Sequence, residues 1–140
     1  MVVRVQCGDF DPEVEAAALS VTGAGARVSF VGTVRELGQA ARVAAIEVEH
    51  YPQMTERELE RIATEARHRY DLLDVLILHR VGRLEAGDRI VLVVVWSLHR
   101  KAAFEACASI IDVLKTRAPF WKKEITDQGA EWVKTETPWV

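Results

Sequence analysis

The chain of 140 residues, 49% of them hydrophobic, is long enough to bury one core and too short for two ordinary domains. A formal charge of −3 excludes global attraction to nucleic acid or to an anionic membrane, so any bound anion must be held by a local cluster of cations. The two cysteines, Cys7 and Cys107, stand far apart and in no CxxC arrangement; this excludes a disulfide scaffold, a zinc ribbon and a thioredoxin-type motif, and fits a reducing compartment.

The apolar N-terminus meets Asp9 and Asp11 far too soon for a signal-peptide core, and the longest apolar run, residues 90–96, is too short to span a bilayer. A soluble, cytoplasmic protein with no membrane contact is expected. Asp11-Pro12-Glu13 pairs an N-capping carboxylate with a proline at the first helical position, predicting a short helix over residues 12–20 and a turn over 21–25. Residues 27–34 and 43–50 are rich in β-branched and aromatic side chains with partial alternation, so they read as strands flanking a polar loop, residues 35–42, that contains Gly38.

From Thr55 the period becomes helical, with Leu59, Ile62, Ala63, Ala66 and Tyr70 on one stripe and charges on the other faces. Residues 73–79 and 88–98 read as strands, the second so continuous in Val and Ile that both of its faces should be buried; residues 84–87 read as the turn between them. A second long helix is predicted over residues 99–117, with Ala103, Phe104, Cys107, Ile110, Ile111 and Leu114 as its apolar stripe and Pro119 as its stop. Residues 120–125 and 130–135 read as two short strands around Asp127-Gln128-Gly129. This order is mixed, which favours one α+β domain over residues 1–140 with a mixed or antiparallel sheet.

The densest cationic stretch is Lys115-Thr116-Arg117-Ala118-Pro119-Phe120-Trp121-Lys122-Lys123, with no acid before Glu124. Lys115 and Arg117 alone are explained by the negative end of a helix. Two further cations beyond a proline and two aromatics make an anion site the better reading. His99-Arg100-Lys101 opens the same helix, where positive side chains oppose the dipole; free backbone N–H groups with an arginine there suit a phosphate. Arg35 follows a strand end and enters the polar loop. His50, His68, His79 and His99 show no metal-ligand spacing, so no metal is expected, and Cys107 on an apolar stripe reads as a core thiol. Sulfur chemistry would need an outside donor.

Six ordered motifs carry a family resemblance over nearly the whole chain: Phe30-Val31-Gly32-Thr33-Val34-Arg35, Glu49-His50-Tyr51-Pro52 with Met54, His79-Arg80-Val81-Gly82, Gly87-Asp88, His99-Arg100 with Ala103-Phe104, and the stretch from Lys115 to Glu124. Together they resemble the MoaE family, the large subunit of molybdopterin synthase. The resemblance implies an α/β hammerhead-type fold and a homodimer within a heterotetramer. Its partner would be a small ubiquitin-like (MoaD-type) carrier whose C-terminal Gly-Gly thiocarboxylate gives sulfur to cyclic pyranopterin monophosphate, forming the dithiolene of molybdopterin. No redox cofactor, metal or nucleic acid is implied. Carried over by motif, Lys115 and Lys122 are the expected catalytic lysines, and Arg35, His99, Arg100, Arg117 and Lys123 the expected substrate-binding residues. Two other readings compete. Phe120-Trp121-Lys122-Lys123 mixes aromatics with cations as single-strand binders do, and the fold could survive without chemistry, against which both Lys115 and Lys122 are retained.

Overall fold

Val and Ile dominate residues 90–95, and a strand built from them must bury both faces; the architecture follows from that demand. The computed structural model describes residues 1–37 and 42–133. In chain order these form β1 (Val2–Gln6), α1 (Pro12–Ala17), β2 (Ala26–Thr33), β3 (Val43–His50), α2 (Met54–Arg69), β4 (Asp74–Arg80), β5 (Gly82–Glu85), β6 (Arg89–Ser97), α3 (Arg100–Arg117), β7 (Phe120–Thr126) and β8 (Gly129–Trp132). Residues 38–41 of the polar loop, and residues 134 and 135 of the last expected strand, lie outside the described residues.

Two four-stranded sheets result, ordered β1-β4-β6-β2 and β5-β3-β7-β8. Among the described residues only the β1–β4 pair is parallel, so the fold is mixed α+β, as expected. Alternation along β4 and β6 splits their side chains between two layers. Val75, Ile77, Val93 and Val95 pack under α2 and α3 against Leu59, Ile62, Ala103, Cys107 and Ile110. Leu76, Leu78, Leu92 and Val94 pack on the other face with Phe10 and Ala16 beside α1. Each such side chain contributes about 1.5–3 kcal/mol when fully buried, which is why these two strands form the rigid floor of the molecule. A third cluster of Val34, Val43, Ile46, Val48, Val81, Leu84 and Ile90 joins the sheets.

Local chemistry sets the element ends. The Asp11 carboxylate accepts from the N–H groups of Glu13 and Val14 at 3.0 and 3.3 Å to start α1. That helix stops at Ala17, earlier than expected, because Leu19 and Val21 pack against the first sheet instead of continuing it. Ala118 is extended, with ψ 128°, as a residue before proline must be, and α3 ends there. Two strands go beyond the sequence reading. β1 lies in the apolar N-terminus, and β5 occupies residues expected to turn; Leu84 is fully buried opposite Ile46, and the turn shrinks to Ala86 and Gly87. The Asp88 carboxylate, accepting from Glu85 N–H at 2.9 Å, closes it. Among the described residues no helix is long and apolar enough to cross a membrane.

Candidate active site

The C-terminal end of α3 lies over the junction of the sheets, and a cavity of about 300 Å³ opens there. The contribution of α3 follows helical spacing, while β2 gives consecutive residues, 30–33, where its pairing with β6 becomes irregular. β2 supplies Phe30, Gly32 and Thr33, followed by Arg35; β4 and β6 supply His79 and Val91, which are register partners; α3 supplies Ile111, Leu114 and Lys115; β7 supplies Lys122. The walls are thus largely apolar, with three cations set into them. Gly32 keeps the floor open, since a Cβ there would lie 2.6 Å from Val91 Cγ1 and 3.3 Å from the Phe30 ring.

The turn between the two lysine-bearing elements is held from outside. Thr55, fully buried at the start of α2, donates its hydroxyl to the Pro119 carbonyl at 3.0 Å and accepts from Tyr51 N–H at 2.9 Å. Phe120 then stacks on the His79 ring, centroids 3.8 Å apart and planes 17° apart. Two contacts therefore fix β7 just before Lys122.

Burial, with the charge of Lys115 adding to it, brings the Lys122 ammonium down to about 7. An amine so placed exchanges a proton near neutral pH, while its neighbour supplies positive charge. His79 is held down at about 3, first by burial and then by the charge of Lys122, against the opposing bond to the Arg80 carbonyl; it stays neutral beside the lysines. Cys107 is buried in the core as expected, and burial pushes its thiol up to about 11, which removes it as a nucleophile.

Of the expected site residues, Arg35, Lys115 and Lys122 line one pocket. The other four are placed elsewhere in this chain. Strand alternation sends Lys123 to the opposite face of β7, with its ammonium 4.6 Å from the Trp132 ring centroid. Arg117 reaches back to α2, donating to Glu58 at 2.7 and 3.0 Å and to Glu65 at 2.7 Å, and these carboxylates raise its pKa well above the usual arginine value. His99 and Arg100 stand at the far end of α3, about 24 Å from Lys115 at 1.5 Å per helical residue. The cation-and-aromatic stretch that suggested single-strand binding is likewise divided. Phe120 and Lys122 face inward while Trp121 faces solvent, so no continuous stacking platform forms.

Arg117 accordingly acts as a clamp between helices. Replacing it with methionine is expected to lower the thermal midpoint slightly at low salt, with the deficit shrinking in high salt as the ion pairs are screened. A salt-independent deficit in differential scanning calorimetry would contradict this. His79 was named in a family motif but given no place in the site, since taken singly it was weighed as a metal ligand. Its place on the same alternating face of β4 as Val75 and Ile77 was the available signal.

Fold and pocket together define a mixed α+β protein that offers three cations to an anionic ligand in a largely apolar cavity. The chain belongs to the MoaE protein family, whose model matches residues 5–117. It is 52% identical to the molybdopterin synthase catalytic subunit of Pseudomonas aeruginosa, over 96% of this chain and 91% of that protein. It is 53% identical to the same subunit of Ralstonia nicotianae, over 94% and 76% respectively. Among solved structures, molybdopterin synthase from Staphylococcus aureus superposes with a TM-score of 0.86 at 32% identity, covering 93% of this chain and 95% of that one. The MoaE protein of Burkholderia ambifaria gives a TM-score of 0.81 at 48% identity, covering 97% and 90%.

Proposed function

We propose that this chain is the catalytic subunit of a molybdopterin synthase, transferring sulfur from the C-terminal thiocarboxylate of a small ubiquitin-like carrier to cyclic pyranopterin monophosphate. The observation that carries the reading is the presence of Lys115, Lys122 and Arg35 in one cavity, with Lys122 titrating near neutrality. Both reactants are anions, and cations in an apolar cavity lower their mutual repulsion. An extended Gly-Gly tail is slim enough to enter such a cavity, where bulkier side chains would be excluded.

In this mechanism Lys115 engages the terminal carbonyl of the carrier and stabilises negative charge developing on its oxygen. Lys122 serves the pterin side, giving and taking protons as sulfur bonds to carbon. The acyl carbon that gives up sulfur must gain an oxygen, so water enters and the carrier leaves as a carboxylate, while the pterin carbon that takes the sulfur gives up its bond to oxygen. His99 and Arg100 are too far from Lys115 along α3 to serve the same pocket within one chain. A substrate-binding role for them requires a second copy of the chain, in keeping with a homodimer that carries one carrier at each end. Arg117 and Lys123 would touch substrate only by leaving Glu58, Glu65 and Trp132. A reducing, cytoplasmic setting suits the free thiols of Cys7 and Cys107.

The test is reconstitution. The purified protein, a thiocarboxylated carrier and cyclic pyranopterin monophosphate should yield a dithiolene product detectable by derivatisation and mass spectrometry. A folded protein that binds carrier and makes no product would refute the proposal.

A further inference from the structure

The pocket is rich in donors and poor in acceptors. When charged, Arg35, Lys115 and Lys122 only donate hydrogen bonds, and the other lining side chains are apolar except those of Thr33 and His79. Thr33 is exposed, where water satisfies it, whereas His79 is only 4% exposed. Apart from Lys122 when it has lost its proton, a ligand N–H brought to the pocket floor therefore has one enclosed side-chain acceptor to find among the described residues.

The His79 ring is fixed in both orientation and tautomer. Its Nδ1 lies 2.7 Å from the Arg80 carbonyl oxygen, which can only accept, so the proton sits on Nδ1 and Nε2 carries a lone pair. Phe120, stacked flat against the ring, opposes rotation. Nδ1 is the only ring nitrogen of His79 with a partner among the described residues. No enclosed side-chain nitrogen or oxygen there goes without one, so Nε2 opens on the pocket. Lys122 on β7 and His50 on β3 both oppose a second proton on the ring, and Lys115 on α3 and Arg35 beyond β2 line the same pocket.

We propose that His79 is a substrate-binding residue whose Nε2 accepts a hydrogen bond from an N–H of the bound ligand. This rests on the sulfur-transfer reading, which offers two sources for that donor: a ring N–H of the pterin or a peptide N–H of the Gly-Gly tail. The imidazole suits this task because burial and the charge of Lys122 oppose the second proton that makes an ordinary histidine a donor on acidification.

Wild-type turnover, measured first, decides the sulfur-transfer reading by itself. His79→Phe, which keeps a flat ring against Phe120 and removes the acceptor, is expected to raise KM for one substrate about ten-fold with an unchanged melting temperature. His79→Gln, which restores an acceptor without the stack, should recover part of that loss. A higher KM for the pterin assigns the donor to its ring, and a higher KM for the carrier assigns it to the tail. Unchanged values for both overturn the proposal. In wild-type protein labelled with ¹⁵N in its imidazoles, the His79 Nε2 resonance should lie in the unprotonated range and move upfield when the pterin or the carrier is added. Absence of movement with either ligand overturns the proposal whether or not the variants fold.

Discussion

Replacing Lys122 with alanine is expected to lower the single-turnover rate of dithiolene formation by about 10²–10⁴-fold, the usual contribution of a positioned proton donor and acceptor, and Lys115→Ala should fall in the same range. The two lysines are separable by arginine. Lys115→Arg keeps a positive charge at the carbonyl and should retain part of the rate. Lys122→Arg cannot lose a proton at neutral pH and should remain as slow as the alanine variant. A Lys122→Arg enzyme at near wild-type rate would show that charge alone suffices and that Lys122 exchanges no proton. The same residue links pH to stability. Its pKa falls from 10.5 to about 7 on folding, so between those values the unfolded chain holds a proton that the folded chain lacks. Stability should therefore rise with pH across that window, and below about pH 7 the full cost of a buried charge is present. Lys122→Met should be inactive and flatten this rise, which urea denaturation at several pH values would measure.

Gly25→Ala is expected to destabilise the fold by about 3 kcal/mol, near the upper end for overpacking, although the site lies on the surface and outside the lysine pocket. Gly25 donates its N–H to the Ser97 carbonyl at 2.9 Å, and a Cβ at this position would overlap the Leu98 carbonyl oxygen. The obstacle is main chain, held by the end of β6 on one side and the start of α3 on the other. No side-chain rotation can relieve the clash. Urea denaturation should show a lower midpoint with an unchanged slope. A midpoint equal to that of wild type would mean that the ends of β2 and β6 separate readily there.

Much of this fold could be read from local pattern. β3 spans the predicted residues 43–50, and α2 and α3 fall within a residue of their expected starts, because buried stripes and a proline stop are written in the order of side chains. β1 and β5 were not legible. A four-residue strand such as Gly82–Glu85 has too little alternation to register, and its pairing with Ala45–Val48 is a tertiary fact. The site shows the same division. Lys115 and Lys122 stood out as neighbours in a basic stretch, yet that stretch could not reveal that Arg117 would be taken by two carboxylates on α2, or that Lys123 would face away from Lys122. The role of His79 depended on three partners distant in the chain or hidden in its backbone.

The brace from Thr55 to Pro119 has a consequence for how this family can vary in length. With α3 anchored before the turn and β7 paired to β3 after it, the count of residues between them decides which face of the strand meets the cavity. One inserted residue, with helix and sheet kept in place, would carry Trp121 to the position of Lys122 and leave the proton-exchanging amine in solvent. Insertions should be purged between Lys115 and Lys122, where spacing is constrained as strictly as the lysines themselves.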